Sequence, residues 1–162
     1  MGNECRESHM CAGYQWEATL FLTMWDKVEA RYGADAAREI CGNVLFEAGV
    51  RFGRTLAQEK GRNDLAALKE TWEELYPTGP DTEWDGKRLV VHSKGCVIKQ
   101  TFALYQLPPE KRRELGPMFC AGDRGFVHGF NPDLVFTWGG RLLCGDPECI
   151  WIMESPSEGG TA

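Results

Sequence analysis

Three glycines inside a helical pattern constrain this chain more than any other feature of its sequence. From about Asp35 to Lys60, Ile40, Val44, Leu45, Ala48, Phe52 and Leu56 recur at helical spacing and are expected to face the core. Gly42, Gly49 and Gly53 lie in the same stretch, and each costs roughly 1 kcal/mol relative to alanine inside a helix. They fall near one face, so something must approach that face closely. A second helix in tight packing and the space for a ligand are the two alternatives.

The pattern on either side extends the reading. Trp16, Leu20, Met24 and Val28 recur every four residues, with Phe21 and Trp25 widening the stripe, and predict a helix that stops at Gly33. Gly61 closes the second helix. A third, short helix starts near Asn63 and carries Leu65, Leu68, Trp72 and Leu75 before Pro77, Gly79 and Pro80 break the chain. From Asp81 the period changes. Asp85-Gly86 is a strong hairpin signal, and Arg88 to Lys94 alternates as a strand that Gly95-Cys96 ends. Pro108-Pro109-Glu110 opens another helix, expected to reach Gly129 with a kink or break at Gly116-Pro117. A second hairpin follows, Leu134 to Leu143 and Cys149 to Met153, with a turn through Gly145-Asp146-Pro147-Glu148. Two hairpins without crossover helices predict an α+β fold: N-terminal helices packed on an antiparallel sheet, with a further helix between the hairpins. Residues 14–154 read as a single domain, with a flexible N-terminus at 1–13 and a flexible tail at 155–162.

Composition narrows the function. Eighteen Lys and Arg stand against 24 Asp and Glu, and the net charge of −6 argues against a general polyanion binder, nucleic acid included. No apolar run approaches the ~20 residues of a membrane helix. The first fifteen residues, with Glu4, Arg6, Glu7 and His9, lack the apolar block of a secretory signal. The seven cysteines are an odd number, and a core of this size does not need disulfides. Free thiols in a reducing, cytoplasmic setting are the expectation.

Four of those cysteines, Cys96, Cys120, Cys144 and Cys149, sit near turns or helices in the second half; Cys41 lies mid-helix, where cysteine serves as a small core hydrophobe. With His92 and His128 they offer adequate ligand types for zinc, but there is no Cys-x2-Cys knuckle. Cys120-x2-Asp123-Arg124 would put a thiol, a carboxylate and a guanidinium on one face of an intact helix. Such a set could bind and attack a polarised carbon, or could equally be core filler beside solvated charges. His128 could join that face or cap the helix end, and His92 could be a base or a hydrogen-bonded sheet histidine. Tryptophans such as Trp138 and Trp151 could line an aromatic pocket or simply fill the core.

The ordered set Phe119-Cys120-x2-Asp123, Phe126, Phe130-Asn131-Pro132 and Gly145-Asp146-x2-Cys149-x-Trp151, with Cys96 ahead of it, resembles the L-2-amino-thiazoline-4-carboxylic acid hydrolase family. Val97 stands where that family often has proline, and Trp151 replaces its final phenylalanine. The Gly-Asp-x2-Cys ending is also similar to the 4-vinyl reductase ligand-binding domains, which share a fold with TRAPP subunits. Some of those bind zinc through a Glu-x2-Cys pair, which Trp138-Gly139-Gly140-Arg141 lacks here. The resemblance implies a hydrolase acting on a small cyclic amidine, without a cofactor. From side-chain chemistry, Cys120 would be the nucleophile and Asp123 the base or orienting acid, while Cys96 and His92 help form the site. Arg124 or Arg141 would anchor a substrate carboxylate, and His128, Cys149 and Trp138 would contact substrate. The alternative is a non-catalytic small-molecule sensor, homodimeric, with a zinc-stabilised domain as a third reading.

Overall fold

The computed structural model describes residues 9–76 and 81–156. Its elements start and stop where local chemistry requires. Helix α1 spans His9–Tyr32 and α2 spans Ala34–Lys60, separated only by Gly33. Gly61 ends α2 at φ 69°, its N–H turned back onto the carbonyls of Ala57 and Gln58. The Asp64 carboxylate accepts from the Ala67 N–H and caps α3, Leu65–Leu75. Strands β1 (Asp81–Trp84) and β2 (Arg88–Ser93) form the first hairpin, whose turn is fixed by the Asp85 carboxylate accepting from the N–H groups of Lys87 and Arg88. Helices α4 (Val97–Leu104), α5 (Pro109–Phe119) and α6 (Ala121–Phe130) follow, then strands β3 (Val135–Gly140) and β4 (Cys149–Glu154), with a 3-10 turn at Leu142–Cys144 between them.

The sheet is antiparallel throughout, in the order β1-β2-β4-β3. The two hairpins are therefore zipped together through β2 and β4, with Val91 opposite Trp151 and Leu89 opposite Met153. Alternation along the strands puts those four residues on one face. Leu89, Val91 and Met153 are fully buried there and pack with Leu68 and Trp72 of α3 and Phe126 and Phe130 of α6. A second core cluster joins Phe21 and Trp25 of α1, Cys41 and Leu45 of α2, Phe102 of α4 and Cys120. The architecture is the expected α+β arrangement.

Helices α2 and α6 meet backbone to backbone. A methyl group at Gly49 would stand 2.1 Å from the Gly122 carbonyl oxygen, and one at Gly53 2.0 Å from that of Phe126. From the other side, Gly125 and Gly129 lie equally close to the carbonyls of Phe46 and Val50, each at 2.1 Å. Tight helix packing, rather than space for a ligand, is thus what the glycines of α2 serve. Gly42 stands apart, since a methyl group there would make only an ordinary contact, 3.8 Å from Met118 Cγ.

Several expectations are corrected. The buried face of α1 is Ala18, Phe21, Leu22 and Trp25, whereas Trp16 and Leu20 are exposed. A strict spacing of four drifts around a 3.6-residue helix, so the 16-20-24-28 stripe does not stay on one side. In α2 the buried residues are Ala37, Cys41, Leu45 and Gly53, the first three packed in the cluster with α1 and α4 and Gly53 against α6, while Ile40, Val44 and Phe52 are exposed. Helix α4 was not expected at all. The long helix from Pro108 does break, but at Cys120, with Gly116 and Pro117 inside α5. Helix α1 begins at His9, and the Ser155 N–H donates to the Lys87 carbonyl at 3.0 Å. Cys5 and residues 157–162 lie outside the described residues. Among the described residues no helix is long and apolar enough to cross a membrane.

Candidate functional site

The glycine seam positions the first turn of α6, and Asp123 stands in that turn between Gly122 and Gly125, both of which approach α2. Its side chain reaches the sheet instead, where Oδ2 accepts from the Trp151 indole Nε1–H at 3.3 Å. Burial raises the Asp123 carboxyl to about 7; the Trp151 bond opposes this and the nearby Glu17 charge adds to it. Among the described residues no lysine or arginine acts on it. A carboxyl poised there exchanges a proton readily at neutral pH.

Three thiols lie within its electrostatic reach. Cys120, at the α5–α6 joint, is buried, and burial followed by the Asp123 charge pushes its thiol far above the ordinary range. Cys96 caps α4, its Sγ accepting from the Lys99 N–H at 3.4 Å. Its pKa is raised by burial and by Asp123 against the pull of the backbone N–H groups. Cys149 accepts from the Leu142 N–H at 3.3 Å and is pushed up to about 11, chiefly by burial. All three are therefore neutral thiols at pH 7. Cys144, half-buried, acts on Cys120 and Cys149. Among the described residues, no three His, Cys, Asp or Glu side chains come together closely enough to hold a metal ion.

The aromatic surroundings include two residues that the sequence did not suggest, Tyr14 and Tyr76. Trp151 packs against Trp72 and Trp138 at centroid distances of 5.5 and 5.8 Å. Trp72 also meets Tyr76, at 5.7 Å, and the Tyr76 hydroxyl is hydrogen-bonded to that of Tyr14 on α1. Burial raises both phenols, and Asp123 and Glu17 both contribute. Glu17 follows Tyr14 by one helical turn at the exposed rim. The available signal was this polar pair, Tyr14 and Glu17, spaced i, i+3 beside an otherwise apolar helix stripe.

The structure thus brings together Cys96, Cys120, Asp123, Cys149 and Trp138 from the expected set. Arg141 stands at the edge, its guanidinium 5.9 Å from the Trp138 ring centroid. Three others are placed elsewhere. His92 pairs in register with Ile150, so sheet alternation turns it to the face opposite Trp151, between Glu83 at 3.4 Å and Glu148 at 3.7 Å. Arg124 is rotated about 100° from Asp123 by the helix, and is exposed over the Phe46 ring at 5.0 Å. His128, also exposed, stacks on the same ring, and the two line an open cleft of about 230 Å³ with Phe46, Leu134 and Phe136. Of the expected Cys120–Asp123–Arg124 set, Cys120 and Asp123 lie near each other and Arg124 does not join them. Asp146 has a local role: its carboxylate accepts from the Arg141 N–H at 2.7 Å and closes the turn ahead of β4.

No curated protein matches the chain. A family model described as L-2-amino-thiazoline-4-carboxylic acid hydrolase matches residues 13–152, a span running from α1 into β4 and holding every residue of the Asp123 cluster. The chain belongs to the L-2-amino-thiazoline-4-carboxylic acid hydrolase family.

Proposed function

We propose that the chain opens the ring of a small cyclic amidine of the 2-amino-thiazoline-carboxylate type by hydrolysis, with Asp123 as the proton-transfer group. The observation that carries this reading is the half-buried Asp123 carboxyl, held by the Trp151 indole and raised to about 7. A group with that affinity accepts a proton and returns it within one turnover. Water attacks the amidine carbon as Asp123 takes one of its protons. The tetrahedral carbon then carries the hydroxyl, the exocyclic amino group, the ring nitrogen and the ring sulfur. As the carbonyl forms, the carbon–sulfur bond breaks. The two protons that water brought end on the ring nitrogen and the sulfur, and Asp123 is restored. The product is an N-carbamoyl amino thiol.

Water is the assigned nucleophile in preference to Cys120. Burial and the Asp123 charge both disfavour a Cys120 thiolate, and a reactive cysteine needs the opposite surroundings. The neutral thiols of Cys96, Cys120 and Cys149 then serve as walls and weak donors around the reacting carbon. Hydrolysis of 2-amino-thiazoline-4-carboxylate by Asp123→Asn and Cys120→Ser tests the assignment. Asp123→Asn should lose about 10²- to 10⁴-fold in kcat, and Cys120→Ser should lose little. Collapse of Cys120→Ser with Asp123→Asn active would return the nucleophile to the thiol. The packing of Trp72, Trp138 and Trp151 favours a second reading, a sensor that binds such a ligand without turning it over. Binding by a wild-type protein that releases no thiol would select it.

A further inference from the structure

The seam between α2 and α6 fixes a guanidinium and an imidazole that the hydrolytic scheme does not use. Gly125 and Gly129 are clamped against the Phe46 and Val50 carbonyls, and Arg124 and His128 each precede one of them on α6. Spaced i, i+4, the two side chains leave the helix on one side. There they meet a single ring, that of Phe46. The Arg124 guanidinium stands 5.0 Å from its centroid, and the His128 imidazole stacks on it at 5.9 Å and 30°. Both side chains are exposed, and among the described residues neither pairs with a carboxylate.

Leu134 and Phe136, where the chain enters β3, form the other wall of this open cleft of about 230 Å³. Leu134 is buried in the core cluster of α3, α6 and the sheet, and Phe136 packs against that cluster, so this wall is as firmly held as the seam. The volume lies below the ~300–1,000 Å³ of sites for drug-sized ligands, and leaves room for one ring with a short substituent. Phe46, Leu134 and Phe136 offer that ring apolar contact. The guanidinium offers paired N–H donors in the geometry of a carboxylate, and the imidazole adds an N–H. Arg124 also repels an amidinium, so the ligand class differs from the one proposed for Asp123, which faces Trp151 on the sheet side of the helix.

We propose that this cleft is a second ligand site, separate from Asp123, and that it takes a small aromatic carboxylate. The ligand ring lies between Phe46 and the wall of Leu134 and Phe136, and its carboxylate accepts from the Arg124 guanidinium and the His128 N–H. The seam holds the backbone under both donors before the ligand arrives, so binding has little backbone order left to impose. This site does not depend on Asp123 being the proton-transfer group.

Four probes separate charge from shape: benzoate, the neutral benzamide, the cationic benzamidine, and acetate, which has no ring. In titrations of the full chain followed by the NMR shifts of its amides, benzoate should saturate with a Kd of about 1 mM or less. The shifts should centre on Phe46, Arg124, His128 and Phe136, and each other probe should bind at least about fivefold more weakly. Arg124→Gln changes an exposed side chain, so the fold should survive it. It should weaken benzoate at least about fivefold and leave benzamide within about twofold. Asp123→Asn should leave benzoate within about twofold of the wild type. No saturation by about 10 mM, equal binding of benzoate and benzamide, or unchanged benzoate affinity in Arg124→Gln would overturn the proposal. Shifts centred on Trp151, with benzoate binding lost in Asp123→Asn, would move the ligand to the other side of α6 and overturn it as well. If benzoate binds as expected while 2-amino-thiazoline-4-carboxylate is not turned over, the hydrolytic reading fails and the second site stands.

Discussion

Helix α6 has two working faces, and they are built on opposite principles. Toward α2 it presents glycines, and the contact is backbone against backbone, with no side chain to adjust. Toward the sheet it presents Asp123, Phe126 and Phe130, where a titratable group sits among aromatic rings. The first face cannot yield by a rotamer change; the second holds a charge that the surroundings disfavour. The rigidity of one fixes the position of the other, since Asp123 lies between two of the glycines that make the seam.

The sharpest way to break this pairing is at the seam. Gly125→Ala drives a methyl group into the Phe46 carbonyl, and neither helix backbone can move aside locally. A loss of about 3 kcal/mol or more in urea unfolding is expected, with loss of hydrolysis because Asp123 is displaced. If Gly125→Ala unfolds like the wild type, the seam does not fix α6.

The second test is on the other face. Asp123→Asn should cost the 10²- to 10⁴-fold in kcat given above while stabilising the fold at alkaline pH. The sign follows from the direction of the shift. The folded protein holds the Asp123 proton more tightly than the unfolded chain, so this group's contribution is favourable at low pH. It is lost as pH rises from the ordinary carboxylate range near 4 to about 7. Melting temperatures of wild type and Asp123→Asn should therefore diverge between pH 5 and pH 8, with the variant higher at pH 8. Wild-type kcat/KM should rise with pH through about 7 as the base ionises. A flat profile would remove Asp123 from the role of base.

The third test concerns the exposed side of the same helix. Arg124→Ala and His128→Ala should change kcat/KM by no more than about threefold, since both lie over Phe46 and away from Asp123. A large loss would show that the open cleft there takes part in turnover. The smallest expected effect has the opposite sign. Gly42→Ala, on the same helix as the seam glycines but clear of them, should stabilise by about 0.5–1 kcal/mol through helix propensity alone.

The seam was legible in the sequence because glycine in a helix is costly and so carries information. Both hairpins were legible as well, the first through Asp85-Gly86. The faces of α1 and α2 were not. Hydrophobicity identifies a buried face poorly when that face is made of Ala, Cys and Gly, as Ala37, Cys41 and Gly53 show. Helix α4 was missed because it begins Val-Ile, β-branched residues at home in strands, and because its cap is a cysteine rather than a Ser, Thr, Asp or Asn. At the site, the spacing of Cys120 and Asp123 singled out one residue of the α5–α6 joint and one of the first turn of α6, which lie within electrostatic reach of each other. Arg124 and His92 were misplaced because sheet alternation and helix rotation decide orientation only once the partner elements are known. Tyr14, Trp72 and Tyr76 come from parts of the chain that only the fold brings beside Asp123.

The order β1-β2-β4-β3 bears on how the protein assembles itself. Each hairpin can form from neighbouring residues, but the pairing of β2 with β4 joins Ser93 to Cys149 across three helices. Closing that span costs chain entropy before the contact returns anything, which makes it a slow step. The indole that holds Asp123 lies on β4, so the site exists only after that closure. Trp151 should then report the last event of refolding, and catalytic competence should appear with it rather than with the helices.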